Sequence, residues 1–295
     1  TLNSTAGTAW LLIMNGAYDI DYVNVSYSDA SGGRTMYGAN STNGGNNTNW
    51  IFTGATSTWD GSSSTDWNTA ANWDLNRQPV EGDDVIIPSS GVTNEPTLSD
   101  VYAVGSLTMA SGRTLTCDSN LTVVNNVDVD ATLDLNAITF TVGGSIDFTN
   151  GTIQEDIATI VMNASSGTKT LTTEGETLYN LTINDGGGGA IFQLVDTLTL
   201  SNNLTVTQGT LDANDRNLTI NGSTTINGGA LKTGTGIVTF GDAGGDTVTI
   251  SSGALEIESD NTTTDIVKNA GTWTNSGGTI TYNASTGVTT SLLSA

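Results

Sequence analysis

From about Val101 onward, apolar and polar residues alternate in short runs separated by Asn, Gly or Asp. Ser106-Leu-Thr-Met109, Thr114-Leu-Thr-Cys117, Leu121-Thr-Val-Val124, Val127-Asp-Val129 and Thr132-Leu-Asp-Leu135 each place their apolar side chains on one side of a period-2 strand. Three such strands make a unit of roughly 20 residues, the scale of a stacked repeat. An Asn-Leu-Thr element recurs at Asn120, Asn180, Asn203 and Asn217. Asn180 to Asn203 is 23 residues, one expected coil; Asn203 to Asn217 is 14, two of three sides. Gly-Thr, Gly-Ala-Leu and Asn turns supply the bends between sides. The pattern predicts an all-β right-handed parallel β-helix (β-solenoid) over residues 101–295. Leu121, Val123, Leu133, Leu135, Leu204, Val206, Leu218 and Ile220 are expected to point inward in stacked columns. Tandem β-sandwich domains are the alternative. The short spacing and the scarcity of Asn-Gly hairpin signals favour the solenoid.

Two preceding regions read differently. Residues 56–100 concentrate aromatic and turn-forming residues, with Trp59, Trp67 and Trp73 inside fifteen positions. They predict an irregular Trp-rich cap that hides the first coil and its unpaired edge. Residues 1–55 return to strand pattern. Ala17-Tyr-Asp-Ile-Asp-Tyr-Val-Asn-Val-Ser-Tyr27 alternates as one strand would, and Asn40 to Phe52 reads as a polar turn followed by a short apolar strand. This stretch resembles the closing coils of a solenoid.

Composition narrows the class. Hydrophobic residues make up 36%, while 52 Thr, 27 Ser, 30 Asn and 36 Gly dominate the rest; this suits a thin, elongated core better than a compact sphere. The formal net charge is −23 with only seven basic residues. Such a chain repels phosphate backbones and anionic membrane surfaces, which argues against nucleic-acid binding and membrane insertion. The run Ala9 to Met14 is too short to span a bilayer. Cys117 has no internal partner and reads as a small core residue. The opening at Thr1, without an initiator Met, suggests a processed or excised part of a longer polypeptide.

Trp59-Asp-Gly, Trp67-Asn, Ala71-Asn-Trp73, Pro79 and Gly82-Asp-Asp-Val-Ile-Ile-Pro88 together resemble the segment that begins β-helical repeats in large bacterial surface and autotransporter-like proteins. Leu178-Tyr-Asn-Leu-Thr-Ile183 resembles their coils. The resemblance implies an adhesin, stalk or filament module at the cell surface. It carries over no catalytic residue.

The absence of His removes Ser–His and Cys–His catalysis and the commonest metal ligand. One Cys excludes a cysteine-rich zinc site. Gly186 to Gly189 lies between two strand patterns and reads as a flexible turn, not a phosphate loop. Carboxylate pairs remain: Asp19/Asp21, Asp83/Asp84, Asp128/Asp130/Asp134 and Asp242/Asp246. Asp128 and Asp130 share one strand face about 7 Å apart. That spacing suits a weak Ca²⁺ site or glycosidase chemistry, against the plainer reading of a wet strand face. Asp128, Asp130, Asp242 and Asp246 are the Ca²⁺ candidates, and no cofactor is otherwise required. The 13 Asn-X-Ser/Thr sequons exceed the roughly eight expected by chance because Asn-Leu-Thr repeats. Asn120, Asn180, Asn203 and Asn217 are therefore turn formers first and glycosylation candidates second. Trp59, Trp67 and Trp73 are candidates for stacking on sugars, or form a cap core.

The expected function is a non-enzymatic structural module of an extracellular bacterial surface fibre, polymerising head to tail. β-Strand addition anchored by Leu292 and Leu293 is the expected contact. A glycan-binding adhesin module and a polysaccharide-degrading β-helix enzyme are the alternatives.

Overall fold

The computed structural model describes residues 1–16, 18, 20–154, 156–187, 189–259 and 266–284. It is an all-β solenoid of about 13 turns, every sheet pairing of which is parallel. The only helix among the described residues is the 3-10 turn Ala70–Asn72. Parallel neighbours one coil apart leave no hairpins, so the tandem-sandwich alternative is set aside.

Each coil has three faces. On face 1, Tyr102 pairs with Leu121, which stands beneath Phe140, Ile160, Leu181, Leu204, Thr224, Val248 and Trp273 in turn. Coil length therefore runs from 19 residues (Tyr102 to Leu121) to 25 (Val248 to Trp273). Face 2 starts lower, with Thr56–Thr58 and Asp84–Ile87 beneath Ser106–Met109. On face 3 the columns are Leu98–Cys117–Leu135 and Leu115–Leu133–Ile153, then, higher up, Leu178–Leu200–Ile220–Phe240. All eight residues expected to point inward are fully buried. Alternation does this: one side of each strand is apolar, and identical register stacks that side coil upon coil.

Glycine closes one corner. Gly209, Gly229, Gly253 and Gly278 each stand just before the face-2 residues Thr210, Ala230, Ala254 and Thr279, which pair in register. A Cβ on Gly253 would lie 2.1 Å from the Gly229 carbonyl oxygen, and one on Gly229 would lie 2.6 Å from that of Gly209. The backbones approach so closely there that only hydrogen fits. The Gly-Thr elements at Gly209 and Gly278 and the Gly-Ala-Leu elements at Gly229 and Gly253 thus mark a single edge of the prism, while Gly151 precedes a face-3 strand.

Two inward strand positions of the main stack break the apolar rule, Ser57 beneath Val85 and Thr224. Thr224 stands between Leu204 and Val248, fully buried, and its hydroxyl has no hydrogen-bond partner. An unpaired buried hydroxyl costs on the order of 1–3 kcal/mol. Thr224→Val keeps the shape and is expected to stabilise the protein by about 1 kcal/mol. Thermal denaturation checks this; a lowered melting temperature would mean that the hydroxyl is satisfied.

The first 52 residues also form parallel coils, with Leu2 beside Val25, Asn24 beside Thr42, Trp10 beside Ser28, and Met36 beside Trp50. They enclose a small core of their own, Val25, Ala30, Met36 and Trp50. The expected single strand from Ala17 to Tyr27 is corrected here. Among its described residues only Asn24–Ser26 is strand, because Tyr22 (φ 49°) and Tyr27 (φ 55°) adopt left-handed backbone conformations that turn the chain.

Between the two stacks lies the cap. Trp59, Trp67 and Trp73 pack edge to face, with ring centroids 5.0 Å (Trp59–Trp73) and 4.7 Å (Trp67–Trp73) apart. Trp67 continues onto Tyr102, the first residue of the face-1 column, at 6.1 Å. Asn72 is the polar hub of the cap. It is fully buried, its Oδ1 accepts from the amides of Ser63 and Ser64, and its Nδ2 donates to the Asp66 carbonyl and Ser64 Oγ. The Ala-Asn-Trp sequence thus places a fully bonded amide beside the ring that closes the core.

Candidate functional site

The three tryptophans are at most 2% exposed. Trp59 Nε1 donates to the Asn94 carbonyl at 2.8 Å, and Trp73 Nε1 to that of Trp67 at 2.9 Å. None presents a ring face to solvent, so the expectation that they stack on sugars is corrected: the aromatic payload closes the solenoid core instead.

The carboxylates divide by role. Asp83 is fully buried and accepts four hydrogen bonds, from both Arg77 Nη atoms, Val80 N at 2.9 Å and Ala55 N at 2.8 Å. Asp84 is exposed and accepts from Ser106 Oγ at 2.7 Å. Asp83 stands just before the strand Asp84–Ile87, and the two carboxylates, one buried and one exposed, form no pair. Asp19 lies outside the described residues, and Asp21 accepts from Tyr22 N and Asn40 Nδ2. Asp128 and Asp130 share the wet side of face 2, and Asp147 pairs with Asp128 one coil above. Partial burial, then Asp130 and Asp147, raise the Asp128 carboxyl above its ordinary pKa. Asp134 lies on face 3, next to Thr116. Asp246 is occupied locally, accepting from the amides of Asp242 and Ala243 at 3.0 Å each. Among the described residues no group of three or more His, Cys, Asp or Glu could hold a metal ion.

The repeated asparagines act between coils. The Oδ1 of Asn180 accepts from Asn203 N, the Oδ1 of Asn203 from Ser223 N, and the Oγ of Ser223 from Thr247 N, so three coils in succession lock the next. Asn120 receives Thr139 N and Asn217 receives Ile237 N, both at 2.9 Å. These side chains satisfy corner amides that the ladder leaves open. The buried Asp185 carboxylate likewise accepts from the amides of Gly187, Gly189 and Ala190. Those N–H groups are therefore not available to phosphate. Leu292 and Leu293 lie outside the described residues. No helix among the described residues is long and apolar enough to cross a membrane.

Cys117 is fully buried, and desolvation, followed by Asp134 and Asp118, raises its thiol pKa. Burial also raises Tyr18, and Tyr102 to about 12. Each group is held neutral when folded. The stability this contributes is complete below the unfolded-state pKa and is lost as pH rises, for Tyr102 between 10.0 and about 12. Melting temperature is expected to fall steadily from about pH 9 upward, with Cys117 reacting with thiol reagents only on unfolding. Rapid labelling of the native protein would contradict this.

The open concavity among the described residues lies where the first coils meet the cap. Its volume is about 710 Å³, and Asn15, Arg34, Asn49, Asn76, Arg77 and Gln78 line it. A smaller cavity of about 200 Å³ adjoins it at Arg34, Thr35 and Gln78, with Tyr18, Glu81 and Tyr102 in its wall. Sequence reading missed this site. Its residues come from five separate stretches between Asn15 and Gln78, and none stands in a recognisable motif.

A family model described as a domain of unknown function (DUF8693) matches residues 58–142. That span holds the tryptophan cap and the first complete coils above it, the part of the chain where the core is closed. No curated protein and no solved structure matches the chain.

Proposed function

We propose that the chain is a rod-like structural module of an extracellular bacterial surface fibre that assembles head to tail. The observation that supports this best is the direction of its stabilising contacts. The apolar columns, the backbone ladders and the asparagine bridges all run along the axis, while the outward positions carry Thr, Ser, Asn and Asp. Ten steps of face 2, from Thr56–Thr58 to Thr279–Ala284, give a rod of roughly 50 Å at the usual spacing of neighbouring strands. Parallel coils are also self-complementary, since the upper edge of one matches the lower edge of the next, so strand addition can propagate without closing. The likeness of the Trp59 to Pro88 segment to the start of surface-protein repeats points the same way.

Electron microscopy of the purified native material tests this. Filaments with an axial repeat set by the rod length are expected. Uniform monomers at high concentration would rule out head-to-tail assembly.

A further inference from the structure

We propose that the groove between the first coils and the tryptophan cap binds a carboxylated saccharide, with the Arg34 guanidinium pairing the sugar carboxylate. The first argument is a local reversal of charge. The chain carries 30 acidic and seven basic residues, yet none of the twelve groove residues is acidic and two are arginines. A carboxylate approaching this face meets a sizeable concavity whose charged lining is cationic.

The two arginines differ. Arg77 is held by the buried Asp83, with Nη2 to Oδ1 at 2.9 Å, and donates from Nη1 to the Gln78 carbonyl. The Arg77–Asp83 pair is close to neutral and serves as wall. Arg34 forms no ion pair within 4.0 Å with another described residue. Its guanidinium stacks 4.0 Å from the centroid of the Tyr102 ring and donates from Nη1 to the Val101 carbonyl at 3.2 Å. Those two contacts fix the plane of the fork in advance, which lowers the entropy lost on pairing with a carboxylate. Glu81 lines the smaller cavity, which shares Arg34 with the groove, and does not line the groove itself.

The second argument concerns the rest of the lining. Asn15, Asn49, Asn76 and Gln78 are amides that donate and accept, and Ser31, Thr35 and Thr48 add hydroxyls. Only Ala70 brings an apolar side chain. Such a surface suits the alternating donors and acceptors of sugar hydroxyls and offers little to the apolar side chains of a peptide. The volume lies within the ~300–1,000 Å³ typical of ligand sites. The inference is independent of the fibre reading, since a rod with or without assembly can carry this groove.

Isothermal titration calorimetry on the intact chain tests it, with oligogalacturonate and an N-acetylneuraminate oligomer as probes and methyl-esterified oligogalacturonate as the neutral control. Saturable binding of at least one acidic oligomer is expected, with the ester about tenfold weaker or more, the scale of one charge-assisted hydrogen bond. Arg34→Gln should lose a similar factor. Asn15→Trp fills the groove from an exposed position without altering charge and should abolish binding while the melting temperature stays at the wild-type value. The proposal is overturned if neither acidic oligomer binds at millimolar concentration, if the ester binds as tightly as the acid, or if folded Asn15→Trp binds like wild type. Should Arg34→Gln fail to fold, the ester control and Asn15→Trp decide the question.

Discussion

Leu133→Asp is expected to lower stability by about 4 kcal/mol or more and to melt the solenoid from the middle. Leu133 is fully buried on face 3, between Leu115 below and Ile153 above. Removing the side chain forfeits about 2 kcal/mol of apolar burial. The new carboxyl then sits in a column with no donor, so it either loses its proton at high cost or keeps it with a raised pKa. A pKa raised in the folded state means that the damage is greatest at neutral pH and eases as pH falls. Each coil touches only its neighbours, so the loss should be graded along the axis. Hydrogen exchange should accelerate first in the coils containing Leu115, Leu133 and Ile153, and least in those around Leu218 and Ile220. An unchanged melting temperature would show that the face-3 register is wrong.

Asp83→Ala is expected to cost about 3–5 kcal/mol, because it strands the partners of a buried charge. Arg77 and the amides of Val80 and Ala55 all converge on this one carboxylate. Ala55 leads out of the first coils, and Asp84–Ile87 begins the second strand of face 2. The clamp therefore ties the linker to the base of the rod. A double replacement, Arg77→Met with Asp83→Val, should cost less than Asp83→Ala alone, since both charges leave together. Chemical denaturation of the wild type, Arg77→Met, Asp83→Val and the double variant gives the cycle. Equal losses for the single and double variants would mean that packing, not charge, holds the linker.

The stacked part of the fold was legible because its physics is periodic. Alternation and a repeating Asn-Leu-Thr element report pleat and coil length directly, and Leu121, Val123, Leu204 and Val206 went where that pattern sends them. The bend at Tyr22 and Tyr27 was not legible. A left-handed backbone at a residue with a bulky ring leaves no mark in hydrophobic pattern. The tryptophans announced a special segment without saying whether their faces turn in or out; burial of all three around Asn72 decides it. The Arg77–Asp83 clamp and the Arg34 groove are tertiary meetings. Arg34 lies 67 positions from the carbonyl it binds, a separation that no local pattern encodes.

The asparagine bridges carry a consequence for how such a gene can change. Asn180 serves the backbone one coil above it, Asn203 the next, and Ser223 the next again. A duplication or deletion of one whole coil within this run leaves a side-chain oxygen facing the next corner amide and a face-2 glycine beneath another glycine. An insertion of a single codon within a strand turns the pleat over and sends the apolar column into water. Within strands the tolerated step is therefore the whole turn, while the corners, where coil length already runs from 19 to 25 residues, can absorb single residues.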